Sequence, residues 1–427
     1  MSLKTPLLRT ATAVLTIGAL GIAVAGCSTS NAGNGSGDEQ TLTVATNGGT
    51  GMEAVIDEFE EDNPGVTVEL LDSPDSYQQV TATQLTGGTA PDVIQVFPGT
   101  GNNVSVKIAG DKGYFSDLSD EAWVSELPEA SVDLLSTSDG QVVAVPMTFS
   151  SIGAIYNVDT LDEVGLTPPT TWDEVLQFCA DATAAGKVAY GLGLSDTWTT
   201  QLIPYALTAT LVYAEDPDFA QQQVDGTATF ADSGWEQAFD QYLEMEDAGC
   251  FNPSPNGTPY AQVQEAIADG STIGTVSVAA ETQGIQTVAG RDLNLTYEVF
   301  PATNNADETF LSATVGPSFA VNAKAKNQDL AKKFVAYLAD SETQVTYADA
   351  YGDTAALPGD NVQDTAVAAV VSQFVGENKI STWPDQLWPS TTIQPAVFDG
   401  VQALFADQTT VDDVLARMDA AFAEGAE

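Results

Sequence analysis

Residues 381–389 combine side chains that could bind a small molecule. They read Ser-Thr-Trp-Pro-Asp-Gln-Leu-Trp-Pro, so Trp383 and Trp388 flank Asp385 in a stretch interrupted by proline. Proline at two positions predicts a loop, and binding residues are often carried on loops. Two flat rings beside a carboxylate could hold a ligand through its apolar faces and its hydrogen-bond donors. The alternative is that both tryptophans only cap the last helix or fill a seam of the core.

The chain contains no histidine. This excludes Ser-His-Asp and Cys-His catalysis, histidine-bound zinc and imidazole proton relays. The 60 Asp and Glu residues leave one enzymatic alternative, a secreted glycoside hydrolase with paired carboxylates. The acidic pair Asp72 and Asp75 lacks the spacing of a calcium loop, so neither a metal nor another cofactor is predicted.

The charge of the chain limits its possible partners. Twelve basic residues against 60 acidic ones give a formal net charge of -48 at pH 7. Such a chain repels phosphates, so no nucleic-acid partner is expected. The 427 residues, 43% of them hydrophobic, are too apolar for a disordered chain and sufficient for two lobes.

The N-terminal segment has the pattern of an export signal. Lys4 and Arg9 precede an apolar run at residues 11–25, which is shorter than the roughly 20 residues of a spanning helix. The sequence Val-Ala-Gly-Cys at residues 24–27 resembles a bacterial lipobox. This resemblance implies that Cys27 becomes the lipidated N-terminus. The alternative is an uncleaved membrane anchor with an incidental cysteine.

Processing at Cys27 would define where the protein works. Residues 1–26 would be removed as a signal peptide, and residues 27–40, rich in Gly and Ser, would form a flexible tether. We therefore expect an extracytoplasmic protein, anchored as a lipoprotein to the outer face of the cell membrane. In that oxidising compartment Cys179 and Cys250 are predicted to form a disulfide, the alternative being two buried free thiols.

The first part of the chain alternates strand and helix patterns. The predicted elements are strands at residues 41–45, 66–71 and 93–97 and helices at residues 52–59 and 77–85. Two successive βαβ units predict an α/β fold with a parallel sheet, in which ligands lie beyond the carboxyl ends of the strands. Residues 46–50 and 97–102 lie at those ends. The middle third of the chain also shows alternating helix and strand patterns.

Several motifs occur in an order that resembles a known family. They are Gly88-Thr89-Ala90-Pro91-Asp92-Val93, Val145-Pro146 with Ile155-Tyr156-Asn157-Val158-Asp159-Thr160-Leu161, Pro168-Pro169-Thr170-Thr171-Trp172-Asp173-Glu174, Gly316-Pro317-Ser318-Phe319-Ala320-Val321 and Thr410-Val411-Asp412-Asp413-Val414-Leu415. In this order they resemble bacterial ABC-transporter solute-binding lipoproteins of the maltose-binding type, the family 1 sugar-binding proteins. The resemblance covers almost the whole mature chain.

This resemblance implies a two-lobed periplasmic-binding-protein fold of type II with three crossings between the lobes. The expected crossings are at residues 148–150, 314–317 and 375–382. The expected domains are residues 41–147 plus 317–375 for lobe 1 and residues 150–314 plus 383–427 for lobe 2. It further implies a monomer that closes on an oligosaccharide and presents it to the transmembrane subunits of an ABC permease.

An oligosaccharide site needs short polar side chains, carboxylates or amides around aromatic rings. Mapped through the resemblance, the loops that would face the cleft offer both kinds of residue. The expected ligand-binding residues are Asn47, Gly48, Asp75, Tyr77, Phe97, Thr100, Asn102, Thr148, Phe149, Trp198, Glu281, Thr282, Gly316, Trp383, Asp385 and Trp388. A third functional alternative keeps the fold but exchanges the sugar for a peptide or polyamine.

One position departs from the family pattern. The family commonly has a tryptophan just after the strand that corresponds to residues 275–278, but this chain reads Ala279-Ala280-Glu281-Thr282. A usual stacking ring is therefore missing. We expect either that Glu281 hydrogen-bonds ligand hydroxyls or that the pocket accepts a bulkier or branched glycan.

Overall fold

Two mixed sheets organise the chain in this computed structural model, which describes residues 40–73, 76–127 and 129–425. The strands are β1 Gln40–Thr46, β2 Val66–Asp72, β3 Val93–Val96, β4 Ala144–Pro146, β5 Thr148–Asn157, β6 Val188–Tyr190, β7 Thr272–Val278, β8 Leu295–Glu298, β9 Leu311–Val315, β10 Ser318–Val321, β11 Thr354–Ala355 and β12 Ile380–Ser381. The predicted signal peptide and Cys27 lie outside the described residues, as does all of the predicted tether except Gln40.

Helices cover both sheets. The α-helices are α1 Thr50–Asp62, α2 Tyr77–Gly87, α3 Val106–Gly110, α4 Glu129–Leu134, α5 Val158–Val164, α6 Trp172–Ala184, α7 Leu202–Thr208, α8 Phe219–Val224, α9 Trp235–Asp247, α10 Tyr260–Asp269, α11 Glu281–Ala289, α12 Gln328–Leu338, α13 Ser341–Tyr351, α14 Ala366–Gly376, α15 Ile393–Leu404 and α16 Val411–Gly425. Short 3₁₀ turns lie at Thr197–Gln201 and Pro384–Leu387, among others. Within the described residues, no helix is both long and apolar enough to cross a bilayer.

The first sheet has the strand order β2-β1-β3-β10-β4. Strand β1 pairs in parallel with β2 and β3, as the two βαβ units predict, and β10 runs antiparallel between β3 and β4. Helix α1 buries Met52, Val55, Ile56 and Phe59 against this sheet, which is the helical spacing seen in the sequence. The α/β class expected from the sequence is confirmed.

The second sheet is built around the long strand β5. Its order is β12-β9-β5-β7-β6, and β8 and β11 also pair with β5. Apolar clusters cover both sides of this sheet, and the larger one includes the buried rings of Trp235 and Trp388. A disulfide joins Cys179 in α6 to Cys250 after α9, with the two Cα atoms 4.7 Å apart.

The chain passes between the sheets at sharp connections. Met147 links β4 to β5, and residues 316–317 link β9 to β10. A third connection runs from α13, which packs on α1, to β11, which pairs with β5. The crossing predicted at residues 375–382 is misplaced, because α14 packs on the second sheet and β12 pairs there with β9.

The boundaries of the two lobes remain a prediction. The described packing places β11 and α14 with the second sheet, although the sequence analysis grouped residues 317–375 with the first lobe. The sequence of α14 does not indicate which of the two sheets this helix covers. The described residues between 40 and 425 together form one compact unit.

Candidate ligand-binding site

A cavity of about 720 Å³ lies between the two sheets. Loops that follow β1 and β3 form one wall, and the 3₁₀ turns at Thr197–Gln201 and Pro384–Leu387 form part of the other. Its volume is typical of small-molecule sites. Among the described residues that line the cavity there is no lysine or arginine. We refer to this cavity as the interlobe cleft.

The carboxyl ends of β1 and β3 supply a fixed amide pair. The Gln95 side chain donates from Nε2 to Asn47 Oδ1 at 2.6 Å and accepts through Oε1 from the Asn47 backbone N–H at 3.2 Å. Thr46 Oγ1 also donates to Gln95 Oε1. Gln95 is 1% exposed, and these hydrogen bonds fix the orientation of its side chain. Gln95 in turn holds Asn47, which lines the cleft.

Tyr77 and Phe97 form an aromatic edge on the same wall. Their ring centroids are 6.4 Å apart in an edge-to-face arrangement. The Tyr77 hydroxyl donates to the Gln95 carbonyl at 2.6 Å, and burial raises the Tyr77 pKa well above its ordinary value. Its hydroxyl therefore fixes α2 to the sheet, and only the rim of Tyr77 faces the cleft.

Two half-buried indoles line the opposite wall. Trp198 packs edge-to-face on Tyr260 with centroids 4.9 Å apart. Trp383 donates from Nε1 to the Ser312 carbonyl at 3.3 Å, which fixes the plane of its ring. Both rings line the cleft. Fixed indoles with an exposed side can stack on the C–H face of a sugar ring.

Two carboxylates sit in the same wall, and neither forms an ion pair with a lysine or arginine of the described chain. Glu281 Oε2 accepts from Gln264 Nε2 at 2.7 Å, and removal from water raises the Glu281 pKa to about 7. Asp385 Oδ2 accepts from Gln394 Nε2 at 3.3 Å, and burial raises the Asp385 pKa to about 7. Asp385 Oδ1 is buried and has no hydrogen-bond partner among the described residues. Both carboxylates line the cleft and could accept hydrogen bonds from a ligand there.

A contact between the walls closes one side of the cleft. Thr100 Oγ1 donates to the backbone carbonyls of Gln386 and Trp388. The chain can approach this closely because residue 99 is glycine: a Cβ on Gly99 would lie 2.1 Å from the Gln386 carbonyl oxygen. A Cβ on Gly101 would lie 2.6 Å from Asp385 Oδ2.

The structure brings together more than half of the residues expected at the site. Those that line the cleft are Asn47, Tyr77, Phe97, Asn102, Trp198, Glu281, Gly316, Trp383 and Asp385. Those that do not line it are Gly48, Thr100, Thr148, Phe149, Thr282 and Trp388. Asp75 lies outside the described residues. Direct contact of the first group with a ligand remains a prediction.

Trp388 requires a correction. It is 1% exposed and packs against Tyr205, Phe230 and Trp235 at centroid distances of 6.1, 5.9 and 6.3 Å. Its ring fills the core and has no face available for a sugar. Of the two tryptophans in this loop, only Trp383 keeps the predicted stacking role.

Thr148, Phe149 and Thr282 also have other contacts. Thr148 Oγ1 lies 3.1 Å from Ser150 Oγ at the connection between the sheets, and Phe149 packs on the second sheet. Thr282 Oγ1 donates to the Gly352 carbonyl at 3.4 Å. They shape the connections between the walls rather than the surface of the cavity.

Several cleft residues were missed by the sequence analysis. They include four amides and two rings, namely Gln95, Gln201, Gln386, Gln394, Tyr351 and Phe398. Gln394 Nε2 also donates to Gln201 Oε1 at 3.0 Å, so these amides form one network with Asp385. A glutamine in a helix or strand carries no local signal for such a role. Only the sheet order reveals it.

Two sheets on either side of a cleft are the arrangement expected for the periplasmic-binding-protein fold. The family model of the bacterial extracellular solute-binding proteins matches residues 44–345. The chain belongs to this family. Its predicted periplasmic-binding-protein-like fold is confirmed.

Individual relatives agree with this assignment. A multiple sugar-binding protein of Streptococcus mutans is 23% identical over 88% of this chain and 89% of its own length. The maltodextrin-binding protein MdxE of Bacillus subtilis is 23% identical over 96% of both chains. A sugar transporter of Bacillus licheniformis, solved in complex with stachyose, has a TM-score of 0.73 at 20% identity over 90% of this chain and all of its own. These proteins are solute-binding proteins and not enzymes, so the glycoside hydrolase alternative is set aside.

Proposed function

We propose that this chain is a lipid-anchored receptor that closes its two lobes on a neutral oligosaccharide and delivers it to the membrane subunits of an ABC importer. The observation that carries this proposal is the composition of the interlobe cleft. Fixed indoles at Trp198 and Trp383 and the carboxylates of Glu281 and Asp385 face amides of the other wall. Rings and hydrogen-bond acceptors in this combination suit the C–H faces and hydroxyls of a sugar.

The relatives support a sugar as the ligand. Their names specify multiple sugars, maltodextrin and stachyose as ligands of those proteins. Ring stacking and hydrogen bonds would strengthen as closure excludes water, and the difference in affinity between open and closed forms would favour closure. The proposed receptor acts as a monomer.

Calorimetry tests the ligand class. Purified protein is titrated with maltose, raffinose, stachyose and xylo-oligosaccharides, and the sugar is recovered afterwards and analysed. We expect saturable binding of at least one oligosaccharide, which is recovered intact. Saturable binding of none of them, or cleavage of the sugar, would contradict the proposal.

The anchor and the delivery step need cellular tests. Cys27→Ser is expected to prevent incorporation of labelled fatty acid and to release the protein from the membrane. Uptake of the sugar identified by calorimetry should then fall, although the purified variant binds it normally. A variant that still carries lipid would contradict the lipobox interpretation.

A second candidate ligand is a cationic solute. Glu281 and Asp385 line the cleft, and no lysine or arginine among the described residues compensates their charge. Polyamines and oligosaccharides with free amino groups belong in the same titration panel. Tighter binding of these than of every neutral sugar would favour this candidate.

A further inference from the structure

A second cavity of about 890 Å³ adjoins the interlobe cleft. Both cavities share the lining residues Gln78, Gln79, Asn102, Gln394 and Phe398, so the two spaces lie side by side. The second cavity lies between the side of α2 that carries residues 78–86 and the chain at residues 391–398, which enters α15. We refer to it as the outer groove.

The walls of the outer groove combine apolar surface with polar groups, and none of the described lining residues is charged. On α2, Gln79, Thr83 and Thr86 lie on one helical face, because they are three and four positions apart. Across the groove, Thr391 before α15 and Pro395 in its first turn also line it. All described lining residues are uncharged, on a chain whose formal net charge is -48. A neutral ligand fits this surface better than an ionic one.

Hydrogen-bonding groups remain available in the outer groove. The Thr83 and Thr86 hydroxyls donate to the carbonyls of Gln79 and Ala82 at 2.8 and 2.9 Å, which leaves their oxygen lone pairs as acceptors. The side-chain amide of Gln79 is exposed and has no hydrogen-bond partner among the described residues. Such groups match the hydroxyls of a sugar.

Phe398 lies where the two cavities meet. Its neighbours Val397 and Val401 on α15 are fully buried in the core of the second sheet. Phe398 is only half-buried and packs in none of the hydrophobic clusters of the described chain. An aromatic ring that the core does not use can stack on a ligand. Phe398 thus provides an aromatic ring in a site without the tryptophan that the family commonly has after the strand corresponding to β7.

We propose that the outer groove is a second subsite, in which Phe398 and the uncharged faces of α2 and α15 bind the additional rings of a longer oligosaccharide. The inference rests on the proposed function, since it extends the same ligand. The amide network of Gln394 with Gln201 and Asp385 forms the connecting wall between cleft and groove. The preferred ligand is then longer than a trisaccharide.

A chain-length series tests the outer groove. The purified protein is titrated with sucrose, raffinose, stachyose and verbascose, and with maltose and xylose oligomers of two to six rings. In a series that binds, we expect the affinity to rise about fivefold to tenfold in total beyond three rings. Thr83→Leu fills the groove and removes a hydroxyl, so it is expected to abolish this rise.

Two further variants make the test specific. Val80→Leu changes an exposed residue of α2 outside the groove and should keep the rise. Phe398→Ala should weaken the longest sugars at least fivefold more than the trisaccharide, because short ligands lose only the part of the ring that faces the cleft. Melting curves of all variants should match that of the parent.

The outcomes separate the two proposals. Equal affinity for three and five rings, or an unchanged rise in Thr83→Leu, would contradict the outer groove and leave the proposed function intact. Absence of binding in every series would contradict the proposed function and the outer groove with it.

Discussion

Trp383 and Trp388 show at the residue scale how one loop serves two purposes. Trp383 is half-buried in the wall of the cleft, whereas Trp388 is 1% exposed in the core. Trp383→Ala should weaken sugar binding about tenfold with little change in melting temperature. Trp388→Ala should cost about 3–5 kcal/mol of unfolding free energy, because it empties a packed aromatic site.

Calorimetry and denaturant unfolding of both variants check this assignment. Trp123→Ala, at a buried position of the first sheet's core, provides a control for the effect of losing a core indole. Reduced affinity in Trp388→Ala with unchanged stability would show that this ring contacts the ligand and does not fill the core.

The carboxylates of the cleft predict a pH dependence of binding. The pKa of Glu281 is about 7 in the free protein, and hydrogen bonds donated by a ligand would stabilise its ionised form and lower that pKa. Affinity should therefore rise as the pH increases from about 6 to about 8, with release of protons on binding. Asp385 titrates in the same range and contributes with the same sign.

Titrations in buffers of different ionisation enthalpy measure the proton release. Glu281→Gln should reduce it, and the double variant with Asp385→Asn should abolish it. The nearby groups on other elements, Tyr260 and Tyr351, have pKa values raised by burial and stay neutral throughout this range. Affinity that is independent of pH would contradict a direct role for both carboxylates.

The sequence predicts which types of side chain form the site better than it predicts which individual residues line it. Trp383 and Trp388 share one loop, so no local pattern distinguishes the exposed ring from the ring packed on Tyr205 and Phe230. Phe398 lies next to core positions of an amphipathic helix and would be taken for a core residue. Burial depends on partners far away in the sequence.

At the scale of elements, the loop at residues 99–101 contacts the turn at residues 385–386. A side chain added to this loop is therefore expected to impair closure of the cleft. A Cβ on Gly99 would collide with the Gln386 carbonyl only when the walls are in contact. Gly99 also has a φ of 64°, which costs a non-glycine residue about 1–2 kcal/mol. Gly99→Ala should therefore lower both stability and affinity, the latter by about tenfold or more.

Gly113→Ala is the matched control for this variant. Gly113 has a φ of 70°, but a Cβ there would meet nothing within 4 Å. It should lose similar stability and keep full affinity. If both variants bind equally well, the contact at Gly99 is not part of the ligand-bound form.

The order of elements was predictable because each early strand and helix has a clear periodicity. The helical spacing from Met52 to Phe59 became α1, and the strands at residues 41–45 and 93–97 became β1 and β3. The third connection was misplaced because β11 has two residues and α14 is apolar on most of its faces. Short strands and uniformly apolar helices leave sheet membership undecided until the tertiary contacts form.

For the molecule as a whole, the buried carboxyl group of Asp353 couples stability to pH. Asp353 is 2% exposed where α13 leads into β11, accepts hydrogen bonds from Ser150 Oγ and the Thr354 N–H, and has a pKa raised by burial to about 7. The folded form thus holds the proton more tightly than the unfolded chain. The resulting stabilisation is complete below about pH 4 and is lost as the pH rises towards 7.

Asp353→Asn removes this titration and keeps an acceptor for Ser150. Relative to the parent, its melting temperature should rise between pH 4 and pH 7 and then stay level. A constant difference between Asp353→Asn and the parent would contradict the buried, protonated state.

The central claim is that an oligosaccharide binds intact between the two sheets. A crystal structure of the protein with its tightest-binding oligosaccharide tests this most directly. We expect sugar rings stacked on Trp198 or Trp383 and hydrogen-bonded to Glu281 or Asp385, with residues 99–101 in contact with residues 385–386. A sugar bound outside this cleft, or density for hydrolysed products, would contradict the account.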